Sequence, residues 1–143
     1  VKSLRNILMF LIIAFFGAIY SANIQAQAVI KSSNYSTMFL IDDNGLIKDG
    51  SYRTVARING ERIQDESYRT IGYVKNGKIQ DSSYKTFGYV KDGGRVVDGS
   101  YRTLGYIKSD GRVVDRSYKT LGYAPTSLKE DWVAVVFFFL DLE

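Results

Sequence analysis

Between residues 35 and 124 the apolar and polar positions alternate in short stretches, and glycine-containing turns interrupt them at a fixed period. Four segments align directly: SYRTIGYVKNGKIQD, SYKTFGYVKDGGRVVD, SYRTLGYIKSDGRVVD and SYKTLGYA. An earlier copy, SYRTVARINGERIQD, keeps the frame, and NYSTMFLIDDNGLIKD precedes it in degenerate form. The tyrosines that open the copies (Tyr35, Tyr52, Tyr68, Tyr84, Tyr101 and Tyr118) recur every 16 or 17 residues. A unit that short has room for two strands and two turns, not for a strand and a helix. Its Tyr, Thr, Val and Ile content suits a pleated, half-buried surface.

Turn chemistry assigns the joints. Asn59-Gly60, Asn76-Gly77, the DNG ending at Gly45, Asp92–Gly94 and Asp110-Gly111 predict tight hairpin turns, where glycine and asparagine supply positive φ cheaply. The second joint carries Asp49, Asp65, Asp81, Asp98 or Asp115, each two residues before a serine. Those side chains predict corner caps that bond the turning backbone. Strict alternation through YKTFGYVK sets Tyr84, Thr86, Gly88 and Val90 on an inward face, and Lys85, Phe87, Tyr89 and Lys91 on the other. Gly72, Gly88, Gly105 and Gly122 lie on the inward side, where an intrastrand glycine marks a bulge or a close approach.

Both ends break the period. Lys2 and Arg5 precede an uncharged apolar run from Ile7 to Ile19, followed by Ala26-Gln27-Ala28. The run falls short of the roughly 20 residues a spanning helix needs. Basic start, apolar centre and small-residue exit predict a secretory signal peptide over residues 1–28, cleaved after Ala28 or Ala26, and a domain over 29–143. At the other end, residues 126–143 are a tail in which every residue from Trp132 to Leu140 is apolar. Ser127 and Glu130 stand at capping-box spacing and predict a helix from Leu128, with a buried strand as the rival. The predicted fold is mainly β: hairpin repeats in five- or six-fold arrangement around an axis, with the apolar C-terminal helix or strand filling the centre.

Composition narrows the chemistry. With no histidine and no cysteine in 143 residues, a Ser-His-Asp triad, a cysteine nucleophile, a zinc finger and a disulfide frame are excluded. The net charge of +4 falls to +2 once residues 1–28, with two basic and no acidic residues, are set aside. The remaining charges alternate in sign, which argues against nucleic acid as a partner. The mature part holds no transmembrane segment, no metal site and no cofactor is expected, and carboxylates repeated five times read as structure, not as one active site. The chain is therefore expected not to be an enzyme.

The candidate binding residues are the strand tyrosines Tyr73, Tyr89, Tyr106 and Tyr123, beside Ile71, Phe87, Leu104 and Leu121. Tyrosines flanked by lysines suit the stacking of sugar rings or the holding of a peptide. Packing of neighbouring hairpins through that face is the structural alternative. Two functions from different classes follow: an exported structural or surface-associated module with an envelope glycan or protein as partner, in the periplasm or outside the cell, or a glycan- or peptide-binding module.

The turn glycines, the repeated SY[RK]T-x-GY[VI]K unit and the apolar aromatic tail resemble the small exported bacterial proteins named for a five-fold β-flower fold. The resemblance covers residues 29–143 and implies hairpin petals around a central axis; it supplies no functional residues. SY[RK]T becomes NYST in the first copy, and six tyrosine copies stand against five glycine turns, leaving five- and six-fold closure both open. GYVKDGGRVVD is also similar, less closely, to the tyrosine-aspartate repeats of large secreted toxin shells.

Overall fold

The structure, a computed structural model, describes residues 26–140. The expected signal segment falls almost wholly outside the described residues. Twelve antiparallel strands form one closed barrel: β1 (Gln27–Ser32), β2 (Thr37–Asp42), β3 (Leu46–Asp49), β4 (Thr54–Asn59), β5 (Arg62–Gln64), β6 (Thr70–Lys75), β7 (Lys78–Asp81), β8 (Thr86–Lys91), β9 (Arg95–Asp98), β10 (Thr103–Ile107), β11 (Arg112–Asp115) and β12 (Thr120–Tyr123). Each strand pairs with its neighbours in sequence, and β1 pairs with β12 to close the ring. The hairpin repeats expected around an axis are thus joined into a closed twelve-stranded barrel. The sheet continues from one hairpin to the next, so no unit leaves an edge unpaired. The sheet also starts at Gln27, two residues before the expected domain boundary at 29.

An up-and-down barrel sends alternate connections to opposite ends. The glycine turns therefore share one end and the D-x-S-Y corners the other. At Asn76-Gly77 both central residues have positive φ, as a two-residue turn matching strand twist requires. The turn also locks onto the next hairpin, because Val90 N–H donates to Gly77 O at 2.7 Å.

Each unit carries a bulge at the same place. Ile79 faces Gly88 and Gln80 faces Thr86, so Phe87 has no opposite residue. Met38, Val55, Ile71, Leu104 and Leu121 are skipped in the same way. All six pack against the core although only half-buried. An extra residue reverses the alternation, and this is why strict period-2 reading misplaces the residues before it. Tyr84 and its equivalents, expected to face inward, are exposed.

The core is made from the opposed partners of that pattern. Ile30, Ile47, Ile63, Ile79, Val96 and Val113 are fully buried. They stand opposite Phe39, Ala56, Gly72, Gly88, Gly105 and Gly122 respectively. The tail enters the same cluster as α1 (Glu130–Ala134) continued by a π-helical turn, Val135–Phe139. It is a helix, not a strand, and it starts two residues later than predicted. Lys129 precedes it, with no side-chain cap, so Ser127 and Glu130 form no capping box. Asp131 fixes the helix to the wall, its Oδ2 accepting from Gly77 N–H at 3.1 Å. Val133, Ala134, Val135, Val136 and Phe139 are buried.

Candidate functional site

The corners come first, because they position every exposed ring. In each, the aspartate accepts amide protons with one carboxylate oxygen. Asp98 Oδ1 takes Ser100 N–H at 2.9 Å and Arg102 N–H at 3.0 Å, while Oδ2 takes Arg102 Nε–H at 2.7 Å. Asp49, Asp65, Asp81 and Asp115 accept the same two amides. In the first corner Ser32 stands in the aspartate's place and Asn34 Oδ1 accepts from Ser36 N–H. The five carboxylates expected as caps are caps.

At Asp49, Asp65 and Asp98 these bonds lower the carboxyl pKa. The Arg53 amide does so for Asp49 and the Arg102 amide for Asp98. At Asp65 partial desolvation pulls upward, and the amides of Arg69 and Ser67 outweigh it. A group whose folded pKa is depressed contributes stability above its unfolded value, which is lost as pH falls through the folded value. The melting temperature is accordingly expected to hold from neutrality to about pH 4 and to fall below it. An Asp49→Asn/Asp65→Asn/Asp98→Asn variant, starting lower, should show a flatter acid limb. An identical limb in both proteins would assign the loss elsewhere.

The loop closed by each cap bends the following tyrosine into the left-handed region: Tyr35, Tyr52, Tyr68, Tyr84, Tyr101 and Tyr118 all have φ of 64–65°. That conformation costs an L-residue roughly 1–2 kcal/mol, and glycine or asparagine is its usual occupant. The six rings are 57–69% exposed.

The bend lays each corner ring against the strand residue of the preceding unit. Tyr84 stacks on Tyr73 at 4.5 Å, Tyr101 on Tyr89 at 5.1 Å, and Tyr118 on Tyr106 at 5.0 Å. Tyr35 stacks on Tyr123 at 4.6 Å across the closing strands, their phenol oxygens 3.1 Å apart. Where Arg57 replaces the strand tyrosine, its guanidinium lies 4.8 Å from the Tyr68 ring centre. Tyr52, whose counterpart is Leu40, has no ring partner among the described residues.

The candidates Tyr73, Tyr89, Tyr106 and Tyr123 are therefore half-buried beneath the corner rings. Interaction with the partner phenol raises the pKa of one member of each pair. Tyr84 raises Tyr73, Tyr89 raises Tyr101, Tyr106 raises Tyr118, and Tyr35 raises Tyr123. Tyr89 is lowered, by its bond with Tyr101 and then by Thr86, Lys78 and Lys91.

Sequence reasoning passed over the corner tyrosines as binding residues, although a bulky aromatic repeated right after a turn signal was the clue. It also missed the cross-strand cations. Register sets Arg62 opposite Tyr73, Lys78 opposite Tyr89, Arg95 opposite Tyr106 and Arg112 opposite Tyr123. Lys91 adds a second cation, 4.9 Å from the Tyr89 ring and 5.0 Å from Tyr101.

The turn end holds an open groove of about 590 Å³, bordered by Gln27, Asp43, Asn59, Lys129 and Trp132. Asp42 at its edge is occupied as a turn cap, Oδ1 accepting from Asn44 and Leu46 N–H. Among the described residues, no three acidic side chains gather as metal ligands and no helix is long and apolar enough to cross a membrane. The profile of a family described as 5-fold beta-flower protein matches residues 27–141. No curated protein and no solved structure matches the chain.

Proposed function

The chain belongs to the 5-fold beta-flower family, and we propose that it is an exported, non-enzymatic repeat module that serves as a structural, surface-associated element of the cell envelope. The observation that carries this reading is that the residues defining the repeat are consumed in closing the barrel. The aspartates hold corner amides, the glycines admit neighbouring backbone, and the strand tyrosines support the next corner. Six units close the ring, and the tail acts as its hub: Phe137, Phe138 and Phe139 lie over Gly122, Gly105 and Gly88 in turn. Phe39 meets the same need from the wall of the first unit. An exported domain without disulfides is held together by that packing and by the hydrogen bonds of its closed sheet.

Intact-mass measurement of chain recovered from the envelope or medium tests export. Cleavage after Ala26 leaves β1 whole, whereas cleavage after Ala28 removes the Gln27–Asp42 and Ala28–Ile41 pairs. The expected mass is that of a chain starting at Gln27, with one starting at Val29 as the other product of the same signal. Recovery of the uncleaved chain in the membrane fraction would sink the proposal.

A second reading, glycan or peptide binding, is favoured by one observation: the corner rings stay exposed after stacking.

A further inference from the structure

We propose that the outer wall of the barrel binds an acidic polysaccharide, with sugar rings lying on the corner tyrosines and their carboxylates met by the cross-strand cations. This rests on the glycan reading above and moves the contact from the strand tyrosines to the corners.

Three observations converge on that ligand. The first is the exposure of Tyr84, Tyr101 and Tyr118, 63%, 57% and 59% respectively. One face of each ring is covered by its stacked partner, so the exposure belongs to the other face and the edges. A flat aromatic face held rigidly at the surface suits the apolar face of a sugar ring. The second is that the strained tyrosine persists where stacking cannot explain it. Tyr52 has the same φ as its fellows, yet Leu40 stands where the strand aromatic would be. Backbone strain retained on an exposed side chain points to use of that side chain.

The third is charge. Arg62, Lys78 and Arg95 are exposed on the outer face beside Tyr73, Tyr89 and Tyr106. The corner aspartates already accept amide protons within their own loops, and Glu61, next to Arg62, is paired with Lys75 at 2.8 Å. The wall thus presents four stacked ring pairs in consecutive units, each with a cation opposite its strand tyrosine. The pattern repeats every two strands, or about 10 Å. A polymer with a ring and a carboxylate in each residue matches such a series, and a neutral sugar leaves the cations unused. The first unit has neither component, since Val29 stands opposite Leu40.

Gel retardation of the exported chain in polygalacturonate, with neutral dextran and oligo(dT) gels run in parallel, tests the assignment. Retardation is expected in polygalacturonate, weakening with salt, and not in dextran. Tyr84→Gly/Tyr101→Gly/Tyr118→Gly relieves backbone strain and should stay folded, which thermal melting checks. Its apparent affinity should fall by about tenfold or more, as loss of several linked contacts implies. Arg62→Gln/Lys78→Gln/Arg95→Gln should fall comparably, and Tyr52→Gly, which removes one unstacked ring, should fall measurably but by less than the triple tyrosine variant.

An unchanged affinity in the folded tyrosine variant would reduce the effect to plain charge attraction and overturn the proposal. Stronger retardation by oligo(dT) than by polygalacturonate would overturn it too. Retardation by dextran that survives all these variants would leave glycan binding standing and remove this site. No retardation in either polysaccharide would remove both.

Discussion

A chain ending at Pro125 will not fold to a monomeric barrel. The strands alone leave Gly88, Gly105 and Gly122 facing an interior that Phe139, Phe138 and Phe137 otherwise occupy. They also lose Val133, Ala134, Val135 and Val136, all buried in the common cluster. Each large apolar side chain so buried contributes about 1.5–3 kcal/mol. A domain's whole margin is about 5–15 kcal/mol, so losing the set together exceeds it. Truncation should give aggregated or unfolded protein by circular dichroism and size exclusion.

Phe138→Asp in the full chain separates packing from chain length. It sets an unpaired carboxylate against the backbone around Gly105, and the same loss of cooperative melting is expected. Phe138→Ala should cost about 3–5 kcal/mol, less than either. A truncated chain that is soluble, monomeric and melts cooperatively would make the tail peripheral, and with it the hub role given to these phenylalanines.

The tail shows how far sequence reading reaches here. Nine successive apolar residues after the last repeat announce a buried segment; five of them are buried, and Trp132, Phe137, Phe138 and Leu140 are partly buried against the same core. Its start was misread, because Ser127 and Glu130 fit a capping box by spacing alone while the chain is still leaving the barrel end. The corners divide the same way. Asp98 and its equivalents were legible as caps, since an aspartate two residues before a serine can bond a turning backbone in only a few ways. The consequence for Tyr101 was not legible. Nothing in a tyrosine's chemistry signals positive φ, and the amide bonds to the aspartate impose it from outside.

Alternation then failed for a second reason. The bulge at Phe87 inserts one residue between Thr86 and Gly88, so the face assigned to Tyr84 by counting in twos is wrong by that residue. Gly88 held the warning, since a glycine in a strand of β-branched and aromatic residues marks such irregularities. Closure followed similar logic. Six tyrosine copies against five glycine turns left the ring number open, because the sixth hairpin is completed by β1 and β12 without a turn to connect them.

Gly105→Ala should be among the most damaging single-methyl additions this protein can receive. The new Cβ would lie 2.2 Å from Val114 O and 2.8 Å from Phe138 Cζ. The phenylalanine could swing aside, but the carbonyl belongs to β11, paired on both sides in a closed sheet, and has nowhere to go. Overpacking a well-filled core ordinarily costs about 1–3 kcal/mol, and a clash with immobile backbone belongs at or above the top of that range. Gly60→Ala provides the contrast. Nothing lies within 4 Å of its added Cβ, and its φ of +61° leaves only conformational strain, about 1 kcal/mol. Combining Gly105→Ala with Phe138→Ala should not restore stability, because the carbonyl contact remains and a cavity is added. Urea denaturation of the three variants should therefore rank Gly60→Ala nearest the parent, Gly105→Ala well below it, and the double variant lowest. If the double variant proved more stable than Gly105→Ala, the aromatic contact, and not the carbonyl of β11, would be what forbids a side chain at the glycine.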